Sequence, residues 1–151
     1  MLSQRAKYAL RAMIGLAGHG NDEPVSVAVL ARDADIPRAF LEQIFSDLRR
    51  RNLVISQRGK RGGFLLARDA NDISFAEIIR HIDGPLALAP CASRTAFRPC
   101  PECRSVETCD LRPTLIAARD AVAAVLEHTT LAGAANRDQT RGRRRKKISL
   151  R

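Results

Sequence analysis

The sequence predicts a mainly α-helical chain with one small β-hairpin. Three observations predict it. Apolar residues recur at helical spacing in three successive segments before residue 52. The period then switches to two short apolar runs joined by a basic, glycine-rich turn. All four cysteines fall in one Pro-interrupted stretch, just ahead of the longest helical segment. Together they predict a winged helix-turn-helix domain over 1–84, a cysteine-containing sensor loop over 85–109, a long dimerisation helix over 110–133 and a disordered basic tail over 134–151. At 151 residues, 45% of them apolar, the chain has room for one such domain and its accessory elements.

Ser3 can cap a first helix whose apolar residues Ala9, Ala12, Met13 and Leu16 keep helical spacing until G-H-G-N-D-E-P breaks it. A second, short helix starts at the Ser26 cap and carries Val27, Leu30 and Ala31 on one face. D-A-D-I-P then makes a tight turn, because Asp35 tolerates the left-handed conformation and Pro37 suits the start of a helix. The third helix, about Arg38 to Arg51, buries the stripe Phe40, Leu41, Ile44, Phe45 and Leu48. A short helix, a tight turn and a longer helix with a basic C-terminal end have the profile of a helix-turn-helix.

L-V-I-S-Q and F-L-L-A-R, joined by R-G-K-R-G-G, read as a hairpin, and a hairpin directly after a recognition-type helix is a wing. Its tip holds Arg58, Lys60 and Arg61 between glycines, so the backbone can approach a phosphate while cations reach a groove. S-F-A-E-I-I-R-H-I-D-G gives another short helix, capped by Ser74 and ended by Gly84-Pro85. In the long helix that follows the cysteines, Leu115, Ala118, Val122, Val125 and Thr129 recur at spacings of 3, 4, 3 and 4. That is a heptad-like seam suited to a dimer contact.

The formal charge of +10 is unevenly spread. Residues 1–70 hold 12 basic and 7 acidic side chains, residues 71–136 hold 6 and 8, and residues 137–151 hold 8 and 1. Seven of the N-terminal cations lie between Arg38 and Arg61 against only Glu42 and Asp47, which localises an attraction for nucleic acid to the helix-turn-helix and wing. The basic tail solubilises the chain or attracts phosphates without sequence preference. No apolar run approaches the roughly 20 residues needed to cross a bilayer, and M-L-S-Q-R-A-K-Y lacks the apolar core of a secretion signal, so a cytoplasmic protein without a membrane partner is expected. No Ser-His-Asp grouping, phosphate loop or His-Glu metal motif appears, and an enzyme is not expected. Pro99 and Pro101 also break any helix that would activate Cys100-x2-Cys103 as a thiol oxidoreductase.

The cysteines Cys91, Cys100, Cys103 and Cys109 have the spacing C-x8-C-x2-C-x5-C. A reducing cytoplasm disfavours structural disulfides. Zinc is open, since Cys100 and Cys103 have the pitch of a zinc knuckle, although four-thiolate zinc sites usually come as two close pairs. Irregular spacing in a loop also suits an iron–sulfur cluster, and redox-active thiols are a third possibility. Spacing does not decide among them.

The segments F-L-E-Q-I-F-S-D-L-R-R-R-N-L-V-I-S-Q-R-G and R-G-G-F-L-L-A-R, with A-K-Y-A-L-R-A-M near the start, resemble the Rrf-type family of bacterial winged helix-turn-helix transcription regulators. That family includes an iron–sulfur cluster regulator, a nitric-oxide-sensitive repressor and a rhizobial iron regulator. The resemblance covers about residues 1–133, and the wing with its paired Gly62-Gly63 before an aromatic is its most specific part. It implies a regulator, expected to be a repressor, whose cluster (2Fe-2S or 4Fe-4S) responds to iron, redox state or nitric oxide. Cys91, Cys103 and Cys109 fall on the cluster-binding branch's three cysteine positions. Two departures stand out: Arg112 occupies the place of a ligating histidine, and Lys7 that of a ligating acid from the partner subunit, and neither can bind iron. Cys100 is a surplus thiol, which either supplies the fourth ligand or replaces Cys103.

Double-stranded DNA carrying a near-palindromic site is the expected partner of a homodimer, with two recognition helices roughly 34 Å apart. Arg38, Ala39, Glu42 and Gln43 lie at the exposed N-terminal end of that helix. There Gln43 can pair bidentately with adenine and Glu42 can accept from cytosine. Arg49, Arg50, Lys60 and Arg61 are expected on phosphates and Arg58 in a minor groove.

Overall fold

The computed structural model describes residues 2–59, 61–103 and 105–148, without the side chains of Gln139 and of 141–148. Helix α1 (Gln4–Gly18) opens on Ser3, whose Oγ accepts from the Ala6 N–H at 3.0 Å. That bond satisfies one of the backbone donors which a helix N-terminus leaves over. Ser26 opens α2 (Val27–Ala34) in the same way, accepting from Val29 at 3.3 Å. α2 stops at Asp35, which takes the left-handed conformation at φ 52°, and Pro37 stands at the cap of α3 (Arg38–Arg50). The exit of α3 uses a second left-handed residue, Asn52 at φ 60°. Its N–H and that of Leu53 return to the Arg49 and Leu48 carbonyls at 3.0 Å each, which turns the chain into the hairpin.

Strands β1 (Val54–Gln57) and β2 (Gly63–Leu66) pair antiparallel, Val54 opposite Leu66 and Gln57 opposite Gly63. Val25, just before α2, exchanges both backbone hydrogen bonds with Phe64, at 2.9 and 2.8 Å, so the helix-turn-helix is pinned to its wing. This pin explains Gly63, and the tightness of the hairpin turn explains Gly62. A Cβ on Gly63 would lie 2.4 Å from the Val25 carbonyl, and one on Gly62 2.6 Å from the Gln57 carbonyl oxygen. Helix α4 (Phe75–Ile82), capped by Ser74 accepting from Glu77 at 3.2 Å, closes the unit.

The expected stripes are the buried faces. Ala9, Ala12, Met13 and Leu16 of α1 meet Leu30 of α2, Leu41, Ile44, Phe45 and Leu48 of α3, and Val54, Ile73 and Ile78 in one core. Phe40 stays half-buried, edge-on to Tyr8 at 5.7 Å. Beyond α4 come a 3-10 turn at Pro90–Ala92, the cysteine loop and α5 (Arg112–His128), which packs on α4 and on that turn.

Two expectations are overturned at the C-terminal end. The helix expected over 110–133 breaks at Thr129, whose backbone is extended (φ −93°, ψ 107°). The reason is a short strand-like tie to the winged unit: the Phe75 N–H donates to Thr129 O at 2.9 Å and the Leu131 N–H to Ile73 O at 3.0 Å. The last seam position, Thr129, therefore lies off the helix. The segment expected as a disordered tail is instead helical as far as Ile148, within α6 (Leu131–Ile148). Leu131, Ala134 and Ala135 are buried, and α6 packs along α1. Those anchored first turns provide the nucleus that a free charged segment lacks, and Arg and Lys then propagate a helix well. Among the described residues, no helix is long and apolar enough to cross a membrane.

Candidate DNA-reading face and cysteine centre

The N-terminal end of α3 presents Arg38, Ala39, Glu42 and Gln43, all exposed. They share a face because positions i, i+1, i+4 and i+5 of a helix lie side by side, while Leu41, Ile44 and Phe45 turn inward. Arg38 Nε donates to Glu42 Oε1 at 2.8 Å, so the two charges offset one another beside the uncharged Ala39 and Gln43. An exposed pair of this kind is worth about 0–1 kcal/mol, little enough for a base edge or phosphate to displace.

At the other end of α3, Arg49 donates to Ser56 Oγ of β1 at 3.3 Å, which ties helix to wing. Arg50 pairs with Asp47 at 3.2 Å, and Asp47 also receives Arg5 from α1. The Arg5 tether joins residues 42 apart and has no local sequence signal. Arg58 and Arg61 are exposed at the hairpin tip, where Gly59 takes φ 123°. Lys60, expected on a phosphate, lies outside the described residues.

The cysteine loop brings its sulfurs into two couples. The Cys91 thiol lies nearest in effect to Cys100 and the Cys103 thiol to Cys109, and all four are close enough to act on one another's charge. The couples are not those of the linear spacing, in which only Cys100 and Cys103 are close. Cys91 is buried within the 3-10 turn, and the other three are half-buried. The Cys91 thiol is pushed up from its ordinary range, first by the hydrogen bond with Cys100, then by burial and by the charges the other three sulfurs would carry. Burial, followed by the charge of Cys109, raises Cys103, which also donates to Ser105 O at 3.4 Å. None of the four thiols is in a disulfide. Among the described residues, no group of three or more His, Cys, Asp or Glu side chains forms a ready metal cage.

Two arginines strap this loop to α5. Arg112 Nε donates to the Cys91 carbonyl at 3.1 Å, and its guanidinium lies over the Phe97 ring, 5.7 Å from the centroid. Arg119, its side chain only 11% exposed, donates to the Ala92 carbonyl and pairs with Asp120, which Arg94 also meets at 3.1 Å. Hydrogen bonding from Arg119, and then the charges of Arg119 and Arg94, hold the Asp120 carboxyl below its usual range. Sequence reasoning placed Arg112 only as a missing ligand and passed over Arg119. The available signal was a lone charged pair, Arg119-Asp120, inside an alanine- and valine-rich helix. Lys7 is exposed on α1.

The seam face of α5 complements these observations. None of the helix's residues, all described, is buried; Val122 is 48% and Val125 68% exposed.

A family model described as "Rrf2: Iron-dependent Transcriptional regulator" matches residues 2–137. A putative HTH-type transcriptional regulator, rrf2-like, of Rhodobacter capsulatus is 40% identical over 115 residues, 74% of this chain and 77% of that protein. Among solved structures, CymR, described as the global cysteine regulator of B. subtilis, superposes with a TM-score of 0.74 at 31% identity, covering 90% of this chain and 96% of its own. IscR of T. potens gives 0.71 at 28% identity, covering 91% and 88%. With its wing, recognition helix and sequence matched over nearly its whole length, the chain belongs to the Rrf2 family of transcriptional regulators.

Proposed function

We propose that the protein is a homodimeric repressor whose affinity for a near-palindromic operator is controlled by an iron–sulfur cluster in the cysteine loop, responding to iron, redox state or nitric oxide. The observation that carries this reading is the gathering of all four thiols in a loop strapped by Arg112 and Arg119 to α5. The donor set fits the group, being four soft thiol donors in two couples. Cys91, Cys103 and Cys109 would hold it, and the proximity of the Cys100 and Cys91 thiols supports Cys100 as the fourth donor. When bound, the cluster supplies iron–thiolate bonds that iron loss, oxidation or nitric oxide can break.

The chain's own residues do the rest. Gln43 and Glu42 read base edges, Arg49, Arg50, Lys60 and Arg61 hold phosphates, and Arg58 enters a minor groove. Val122 and Val125 meet their counterparts across the dimer axis and set the spacing of the two α3 helices. Arg112 and Arg119 pass any change in the loop's shape to α5 through the Cys91 and Ala92 carbonyls. Coupling of this kind is typically about 1–3 kcal/mol. Anaerobic purification tests the reading: brown protein with stoichiometric iron and sulfide, bleached by Cys109→Ala, is expected. Iron-free protein that resists reconstitution defeats it.

A second reading has its own support. The couples Cys91–Cys100 and Cys103–Cys109 also suit zinc or direct thiol chemistry, and the fold matches a structure described as a cysteine regulator. Colourless anaerobic protein with stoichiometric zinc would favour it.

A further inference from the structure

We infer that the C-terminal part of α6 is a second phosphate-binding element, which grips duplex DNA flanking the sequence that α3 reads. The inference rests on the DNA-binding reading above and extends it to a segment beyond the family match, which ends at residue 137.

Three observations carry it. The first is charge. Residues 137–151 hold 8 cations and a single acid, Asp138, against 18 and 15 in the preceding 136 residues. Between 141 and 148, six of eight residues are Arg or Lys and none is acidic. The second is continuity. The backbone of this run continues a helix whose first turns, Leu131, Ala134 and Ala135, are buried, so the run starts from an anchored helix. Arg141 and Arg145, and Arg143 and Lys147, stand four apart on that helix, where like charges repel, and Gly142 weakens it further. A polyanion relieves that repulsion.

The third is place. Ala135 and Asp138 line a groove with Arg11 and Gly15 of α1 and with Asp33 and Ala34 at the C-terminal end of α2. Four residues after Ala34 the recognition helix begins at Arg38. The basic helix thus emerges beside the turn that delivers α3 to DNA. The ten residues that follow Asp138, up to Ile148, extend it about 15 Å, some four to five base pairs of duplex.

The test uses the full chain and a duplex selected by it from a random library, prepared as a minimal site and with about ten extra base pairs on each side. Wild type is compared with a variant carrying Gln at positions 141 and 143–147; equal thermal midpoints check the fold. The expected result is that flanks tighten wild-type binding tenfold or more at about 100 mM salt, and that this gain disappears in the Gln variant. The slope of log K against log salt should also become shallower by roughly 0.9 for each phosphate that the variant leaves unneutralised. Lys at the four arginine positions keeps the gain. If wild type prefers its selected duplex but gains nothing from the flanks, or the Gln variant keeps the gain, the inference is overturned and the DNA-reading face stands. Loss of binding to single-stranded RNA or anionic vesicles with the duplex gain intact also overturns it. A wild-type chain that prefers no duplex over random sequence breaks the reading beneath.

Discussion

Leu41, Ile44, Phe45 and Leu48 of α3 are wholly enclosed, whereas α5, four residues longer, buries no residue and leaves Val125 68% exposed. Both helices are amphipathic by sequence, but they differ in where the apolar face finds its neighbours. The winged unit completes its core within one chain, with α1, the hairpin and α4 closing round α3. The α5 region is held instead by half-buried packing on α4 and the 3-10 turn, by the tie at Thr129 and by arginine straps, and it leaves Val122 and Val125 exposed. A regulator needs that asymmetry. Under the proposed function, the part that reads DNA must keep its shape, and a part that senses would need a second arrangement at low cost.

The comparison breaks if truncations in the two helices cost the same. Phe45→Ala should destabilise the monomer by about 3–5 kcal/mol in urea titration, and Val125→Ala by less than about 0.5 kcal/mol. Next in size, Val125→Glu should leave the far-UV spectrum intact yet weaken self-association by about 3 kcal/mol, more than a hundredfold by sedimentation, because two like charges meet at the axis. An unaltered dimer would remove α5 from the interface.

Gly63→Ala sharpens the comparison from the wing's side. Its Cβ would strike the Val25 carbonyl at 2.4 Å, so a loss of about 1–3 kcal/mol is expected, with duplex affinity falling although every cation remains. Arg119→Ala should act in the opposite sense, sparing the fold while shrinking the ratio of duplex affinities between iron-loaded and iron-free protein by about 1–2 kcal/mol. A ratio equal to that of wild type would show that the loop signals by another route.

The smallest effect is acid sensitivity. Asp120 is held low mainly by its hydrogen bond with Arg119, and Glu127 by its hydrogen bond with Arg80. A carboxyl depressed in the folded state stabilises it fully above the ordinary carboxylate range, and the contribution fades as pH falls through the folded value. Hydrogen exchange in α5 should therefore quicken before that in α3 as pH drops from about 6 to 3. Asp120→Asn should flatten that dependence.

Much of this was legible from local pattern. The caps Ser3, Ser26 and Ser74, the left-handed Asp35, the α3 stripe and the hairpin follow from side chains acting within a few residues of themselves. The exposed quartet Arg38, Ala39, Glu42 and Gln43 was legible for the same reason, since helical periodicity alone separates it from Leu41 and Ile44. The pairing of Arg38 with Glu42 sits at a spacing that sequence exposes, but the Arg5–Asp47 tether does not.

What the sequence determined by itself is the class of machine: a winged reader, a thiol-bearing loop and a cationic C-terminus, each encoded in residue type and period. The tertiary structure alone decided which thiols couple, that Arg112 and Arg119 fasten their loop to α5, that this helix stops at Thr129, and that the basic segment becomes a helix along α1. The physical reason is range. Caps and stripes are decided over three or four residues, whereas a hydrogen bond from Arg119 to Ala92, or a nucleus at Leu131 for a charged helix, depends on segments that meet only when the whole chain has folded.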